Sequence, residues 1–187
     1  MAAKDPAREL KRFPYYSNYV EMSRIEFRAA SAFARQPFKR CLFIGGGPLP
    51  LTAIVLAELF GVQVDVLDND PEAVKRSRHL VRVLGLSRRI RIIQANAFEH
   101  TAFAVYDFVM IAALVGKDWK EKRALLARIS RYHAGTTVVA MRSACDLKTL
   151  LYPPAKEVSV GKFKAQSVMH PLGEQVVNST VFYRALS

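Results

Sequence analysis

Short apolar runs alternate along most of the chain with longer stretches in which apolar residues recur every three or four positions. Residues 41–44 (CLFI), 62–67 (VQVDVL), 89–93 (RIRII), 107–113 (DFVMIAA) and 136–142 (TTVVAMR) read as strands. The first and fourth are almost wholly apolar, as strands buried on both faces of a parallel sheet are. Residues 49–59, 71–84 and 119–132 carry helical periodicity, with Pro71 opening the second helix and Gly85 and Gly135 closing the second and third. Strand and helix in regular alternation require a parallel sheet covered on both faces by right-handed crossovers. Ahead of the first strand, residues 17–35 set Tyr19, Met22, Ile25, Ala29, Ala30 and Phe33 on one helical stripe, between an aperiodic lead at 1–12 and a short linker at 36–40. Near the C-terminus the rhythm changes: residues 163–170 and 175–184 read as strands joined by Pro171, Leu172, Gly173 and Glu174, too short a link for a crossover, so they pair antiparallel. The pattern predicts an α/β protein: a helical lead over residues 1–40, then a Rossmann-like domain over 41–187 with five parallel strands and a terminal hairpin.

The chemistry of this chain gathers where the first strand meets its helix. Gly45, Gly46 and Gly47 let the backbone take positive φ and admit a ligand with no Cβ in the way. Pro48 suits the first helical position and Pro50 is tolerable in the same turn, so a helix N-terminus is expected to point over the glycines and favour an anionic ligand group. The second strand ends in Asp68, about twenty residues on, where a carboxylate can accept both hydroxyls of a ribose. A dinucleotide fingerprint would have glycine where this chain has Pro50, and the two prolines remove N–H donors that a pyrophosphate needs. A ribose ligand without a pyrophosphate fits better, and S-adenosylmethionine is the candidate. Asn96 and Ala97 leave the third strand where class I methyltransferase-like folds contact the adenine. His170 and Glu174 fall beside the site if the hairpin tip lies at the carboxyl edge of the sheet.

Glu26 falls seven residues after Tyr19, so both lie on one helical face two turns apart. A carboxylate on an apolar face is costly unless paired. It is either a base of raised pKa or the partner of one of the many arginines.

Composition narrows the classes. With 187 residues, 51% of them hydrophobic and 24% charged, the chain is sized for one ordinary globular domain. No apolar run is long enough to span a bilayer and the N-terminus lacks a signal-peptide core, so the expectation is a cytoplasmic protein with no membrane contact. The two cysteines, Cys41 and Cys145, have no C-x-x-C spacing and read as core thiols, with no metal site. The net charge is +12, and residues 75–91 crowd basic side chains. No aromatic residue interleaves them as base-stacking would require, so the stretch reads as the solvated face of a helix rather than a nucleic-acid surface.

Six segments, taken in order, resemble the nicotianamine synthase family: FPYYSNYVEMSRIEF (13–27), FIGGGPLPLTAIVLA (43–57), LDNDPEA (67–73), YDFVMIAALVG (106–116), MRSACDLKTLLYP (141–153) and HPLGEQVVNS (170–179). The resemblance implies a class I S-adenosylmethionine-dependent transferase that moves the 3-amino-3-carboxypropyl arm of S-adenosylmethionine to an amine acceptor, an amino acid or a second S-adenosylmethionine, and releases methylthioadenosine, on the way to a nicotianamine-like metallophore. It implies that catalysis requires no metal. It also implies a donor site of Gly45, Gly46, Gly47, Pro48, Leu49, Asp68, Asn69, Asn96, Ala97, Ala112 and Leu114. Catalytic Tyr16, Tyr19 and Glu26 are implied too, and acceptor contacts from Tyr19, Glu26, Arg142 and His170. Members usually carry a helical domain ahead of the FPYY segment. This chain begins almost at that segment, and the expectation is that the mouth of the site is closed either by a second copy of the chain or by the substrate. Two other readings are an ordinary methyltransferase of a small molecule or RNA, and a catalytically silent S-adenosylmethionine-binding protein. Against amino-nucleobase methylation stands the run from Ala112 to Val115, where such enzymes carry an Asp/Asn-Pro-Pro-aromatic tetrapeptide.

Overall fold

The structure is a computed structural model, described here for residues 5–145, 149–169 and 179–185. Seven strands form one sheet in the order β3-β2-β1-β4-β5-β7-β6. They are β1 (Arg40–Ile44), β2 (Gln63–Asp68), β3 (Ile90–Gln94), β4 (Phe108–Ile111), β5 (Val138–Ser143), β6 (Phe163–Met169) and β7 (Ser179–Ala185). The first five pair in parallel, while β7 runs antiparallel to both β5 and β6, so β6 points the same way as the parallel strands. This is the sheet and hairpin the sequence predicts. The hairpin connection, with His170 and Glu174, lies outside the described residues.

Among the described residues five α-helices accompany the sheet: α1 (Pro6–Lys11), α2 (Tyr16–Ala32), α3 (Leu51–Phe60), α4 (Pro71–Val83) and α5 (Trp119–Tyr132). Local chemistry sets several of their ends. Asp70 accepts from the N–H of Glu72 at the start of α4, and Asp118 from the N–H of Glu121 at the start of α5. Beyond α4, Gly85 takes φ +71° as a closing residue should. Gly135 has no left-handed conformation, and α5 instead ends at an extended His133. The supposedly aperiodic lead holds α1, because the Asp5 side chain accepts from the N–H of Ala7 and Pro6 occupies the first turn. Pro48 does not begin α3. The helix starts at Leu51, with Pro50 in the capping position, because the ring of Pro50 disfavours helical backbone at Leu49. The fourth strand is shorter than its apolar run, and Ala112 and Ala113 leave it to form the turn ahead of α5.

Helix α2 shares the core of the sheet. Its Phe27 stacks on Phe60 of α3 at 4.1 Å and meets Phe38 and Phe108 edge-on. Each such aromatic buries enough apolar area to stabilise the docking by about 2–3 kcal/mol. Cys41 lies deep in this layer, where burial pushes its thiol pKa well above the ordinary value and leaves it inert.

Two buried carboxylates tie the elements together. Asp65 of β2 accepts from Arg91 of β3, from Arg40 of β1 and from the Tyr106 hydroxyl at 2.7 Å. Burial alone would raise its pKa, but the bonds from Arg91, Tyr106 and Arg40 outweigh that and hold it below the usual value. Glu26 of α2, wholly buried, takes Nε and Nη2 of Arg142 and the hydroxyl of Thr180, with a shortest guanidinium contact of 2.7 Å. One carboxylate thereby fastens α2 to β5 and β7.

Glu26→Ala should destabilise the fold by about 3–5 kcal/mol in urea unfolding, because the Arg142 guanidinium is left buried and unpaired; Glu26→Leu with Arg142→Met should restore most of it. At Asp65 the depressed carboxyl contributes stability that is present above its ordinary value and is lost as the pH falls through the folded one. Asp65→Asn should cost about 1–3 kcal/mol at pH 7, and the gap to the parent should narrow below about pH 4. A gap that does not change with pH would remove Asp65 from the acid response.

Candidate functional site

At the carboxyl ends of β1, β2 and β4 the chain leaves the sheet, and two cavities open there. After β1, Gly45 (φ +80°) donates its N–H to Leu67 O at 2.8 Å, prolonging the pairing with β2. A Cβ on Gly45 would run into Val115, and one on Gly46 into Cγ1 of Val66, so both positions exclude any larger residue. The Asp68 carboxylate spans the turn, accepting from the N–H of Gly47 at 2.7 Å and from that of Asp70 at 3.0 Å. It closes the glycine loop and keeps lone pairs for a ligand.

The first cavity, about 430 Å³, is walled by Gly45 and Gly47, by Asp68 and Asn69 after β2, by Asn96, Ala97 and Phe98 after β3, and by Ala112, Leu114 and Val115 after β4. A ligand of nucleoside size fits it. Asn96 is held by its own turn, its amide donating to Glu99 at 2.8 Å and its oxygen accepting from the N–H of Phe98 at 3.0 Å.

The second cavity, about 180 Å³, shares Gly45, Ala112 and Leu114 with the first. Tyr19, Gly46, Leu49, Thr52, Arg142 and Tyr152 complete its wall. Arg142 lies 6.0 Å from the Tyr19 ring and 5.7 Å from that of Phe43, with Glu26 behind it. Nε and Nη2 are engaged by Glu26, and Nη1 has no acceptor among the described residues. The hydroxyl of Thr52, buried at the start of α3, also lacks a partner there.

The residues singled out from the sequence therefore divide. Gly45, Gly47, Asp68, Asn69, Asn96, Ala97, Ala112 and Leu114 line the first cavity; Tyr19, Gly46, Leu49 and Arg142 line the second. Pro48 lines neither. Glu26 is not at a cavity wall but behind one: its carboxylate is spent on Arg142 and Thr180, and the alternative of an arginine partner, rather than a base free to meet a ligand, is what the fold builds. Tyr16, the first residue of α2, also lines neither cavity, and burial together with the nearby Glu58 carboxylate raises its phenol pKa. His170 lies outside the described residues. Some residues at or near the site escaped the sequence reading. Tyr152 sits in a segment without periodicity, and Phe98 carries no motif of its own. Lys122 looks like one more surface lysine of α5, yet it is wholly buried, and burial pushes its ammonium pKa down to about 8.

Among the described residues there is no cluster of His, Cys, Asp and Glu able to hold a metal ion, and no helix is long and apolar enough to cross a membrane.

Comparison with known proteins places this geometry. A family model described as nicotianamine synthase protein matches residues 1–187. Nicotianamine synthase 2 of Arabidopsis thaliana is 34% identical over 186 residues, which are 97% of this chain and 58% of that protein. Nicotianamine synthase-like 5 protein of Hordeum vulgare is 33% identical over 98% of this chain and 67% of its own length. The chain thus spans less than two thirds of the Arabidopsis relative. Among solved structures, a substituted form of MtNAS in complex with S-adenosylmethionine superposes with a TM-score of 0.83 at 28% identity, over 100% of this chain and 68% of that one. MtNAS in complex with MTA and tNA gives 0.83 at 29% identity, over 99% and 66%. The mitomycin 7-O-methyltransferase MmcR, at 18% identity and a TM-score of 0.65 over 98% of this chain and 61% of its own, shares the fold alone. The architecture is that of class I S-adenosylmethionine-dependent transferases, and with the family model matched from end to end, the chain belongs to the nicotianamine synthase family.

Proposed function

We propose that the protein transfers the 3-amino-3-carboxypropyl group of S-adenosylmethionine to an amine or amino-acid acceptor, releasing methylthioadenosine, as a step toward a nicotianamine-like metallophore. The observation that carries this reading is the contact between the two cavities. A nucleoside-sized site with a carboxylate for a ribose meets, at Gly45, Ala112 and Leu114, a smaller site lined by a guanidinium, two phenols and a hydroxyl without a partner among the described residues. The likeness to the two MtNAS complexes supports it.

In this reading adenosine fills the first cavity with its ribose on Asp68, and the amino-acid arm passes over Gly45 and Gly46 into the second. The acceptor amine, held beside Tyr19, attacks the γ-carbon. The new C–N bond forms as the C–S bond breaks, its electron pair stays on sulfur as the neutral thioether, and the amine's proton leaves to solvent. Alignment of nucleophile and γ-carbon supplies most of the acceleration. Arg142, braced by Glu26, offers its remaining N–H groups to a carboxylate in the second cavity; Glu26 acts through Arg142 and touches no substrate. Exposed Leu114, Leu150 and Leu151, beside Tyr152, offer apolar surface to a second copy of the chain closing this mouth.

Mass spectrometry of the nucleoside formed from S-adenosylmethionine and a panel of amines should find methylthioadenosine; adenosylhomocysteine accompanied by a methylated product would replace this reading with a methyltransferase. Asp68→Ala should weaken S-adenosylmethionine binding by about 1.5–3 kcal/mol, roughly ten- to a hundredfold in calorimetry, and unchanged affinity would remove the ribose assignment. Tyr19→Phe should lower kcat about three- to tenfold with donor affinity preserved, as expected for one hydrogen bond lost near the reacting amine.

A further inference from the structure

Lys122 lines neither cavity, so its complete burial needs another reason. Its ammonium donates to the carbonyls of Ala113 at 2.9 Å and Val115 at 3.0 Å. Both belong to the turn that leaves β4 and forms the shared wall of the two cavities. The stem of Lys122 packs just where a side chain on Gly116 (φ +80°) would stand, so turn and helix are fitted to each other.

A trans peptide unit points its C=O and its N–H in opposite directions. Fixing the carbonyls of Ala113 and Val115 on Lys122 therefore turns the N–H groups of Leu114 and Gly116 away from it. Neither N–H finds an acceptor among the described residues, and both residues line the first cavity. Building on the S-adenosylmethionine reading, we propose that Lys122 is a positioning residue that orients these two peptide units, so that the N–H groups of Leu114 and Gly116 face hydrogen-bond acceptor atoms of the donor molecule. Without the ammonium, two carbonyls inside the protein lose their donor, and the turn relaxes by rotating those units toward the cavity or toward water. The donor face becomes a mixed or accepting one. Global stability should change little, since relief of the ammonium's own desolvation offsets the cost of the two freed carbonyls, which the relaxed turn can point toward water.

The test compares the full chain with Lys122→Met by three measurements. In the ligand-free proteins the amide resonances of Leu114 and Gly116 should move in the variant. S-adenosylmethionine should bind the variant at least tenfold more weakly in calorimetry. The urea midpoint should change little, a combination that a merely structural lysine would not give. Unmoved amides, or parental affinity, would overturn the assignment. Should the variant fail to fold, amide hydrogen exchange in the parent decides: exchange at Leu114 and Gly116 that slows at least tenfold on adding S-adenosylmethionine supports it, and unaltered exchange refutes it. A parent that binds no S-adenosylmethionine overturns the cofactor reading instead, and the ligand-free amide shifts still decide whether Lys122 sets the turn.

Discussion

The site depends on a reversal in the winding of the sheet. From β1 the chain steps outward to β2 and then β3, and returns past β1 to place β4 on its other side before continuing to β5. Right-handed crossovers on the two halves must therefore cover opposite faces, and the loops leaving β1 and β4 diverge over the carboxyl ends of those strands. The two cavities lie in that divergence and share its walls. The glycines follow from the same constraint: Gly45 and Gly46 pass so close to Val115 and Val66 that no side chain fits.

Buried charge then fixes what the topology leaves free. Glu26 and Arg142 come from elements 116 positions apart in the chain, and their pairing does two things at once. It anchors α2 to the sheet, and it presents a guanidinium at the second cavity with one edge still available. Lys122 does for the turn after β4 what Asp68 does for the turn after β1: each uses a charged group to hold backbone polar atoms in an orientation that the chain alone would not keep. Buried ions such as Glu26, Arg142 and Lys122 are costly, and they are tolerated where their hydrogen bonds are satisfied.

Much of the first cavity was legible in the sequence, because its determinants are local. Glycines in succession after an apolar strand, and an acid at the end of the next strand, are dictated by backbone sterics and by the length of one crossover, both of which show in the order of residues. The alternation of strand and helix likewise determined the parallel sheet, and a connection too short for a crossover implied the antiparallel pairing of the last two strands. Even the capping of α4 by Asp70 and Gly85 obeys rules that operate within a few positions.

The roles of the charged residues were decided only by the tertiary structure. From the helical stripe, Glu26 could be a base or half of an ion pair, and nothing within its own helix distinguishes the two, since the answer lies in Arg142 of β5 and Thr180 of β7. Lys122 sits in a helix rich in exposed lysine and arginine, and periodicity shows which face of that helix is buried without showing which carbonyls wait beneath it. Tyr152 reaches the second cavity from an aperiodic segment. A side chain's protonation and purpose depend on the dielectric and the partners around it, and those are supplied by residues distant in sequence, whereas turns, caps and strand alternation answer to neighbours a few bonds away.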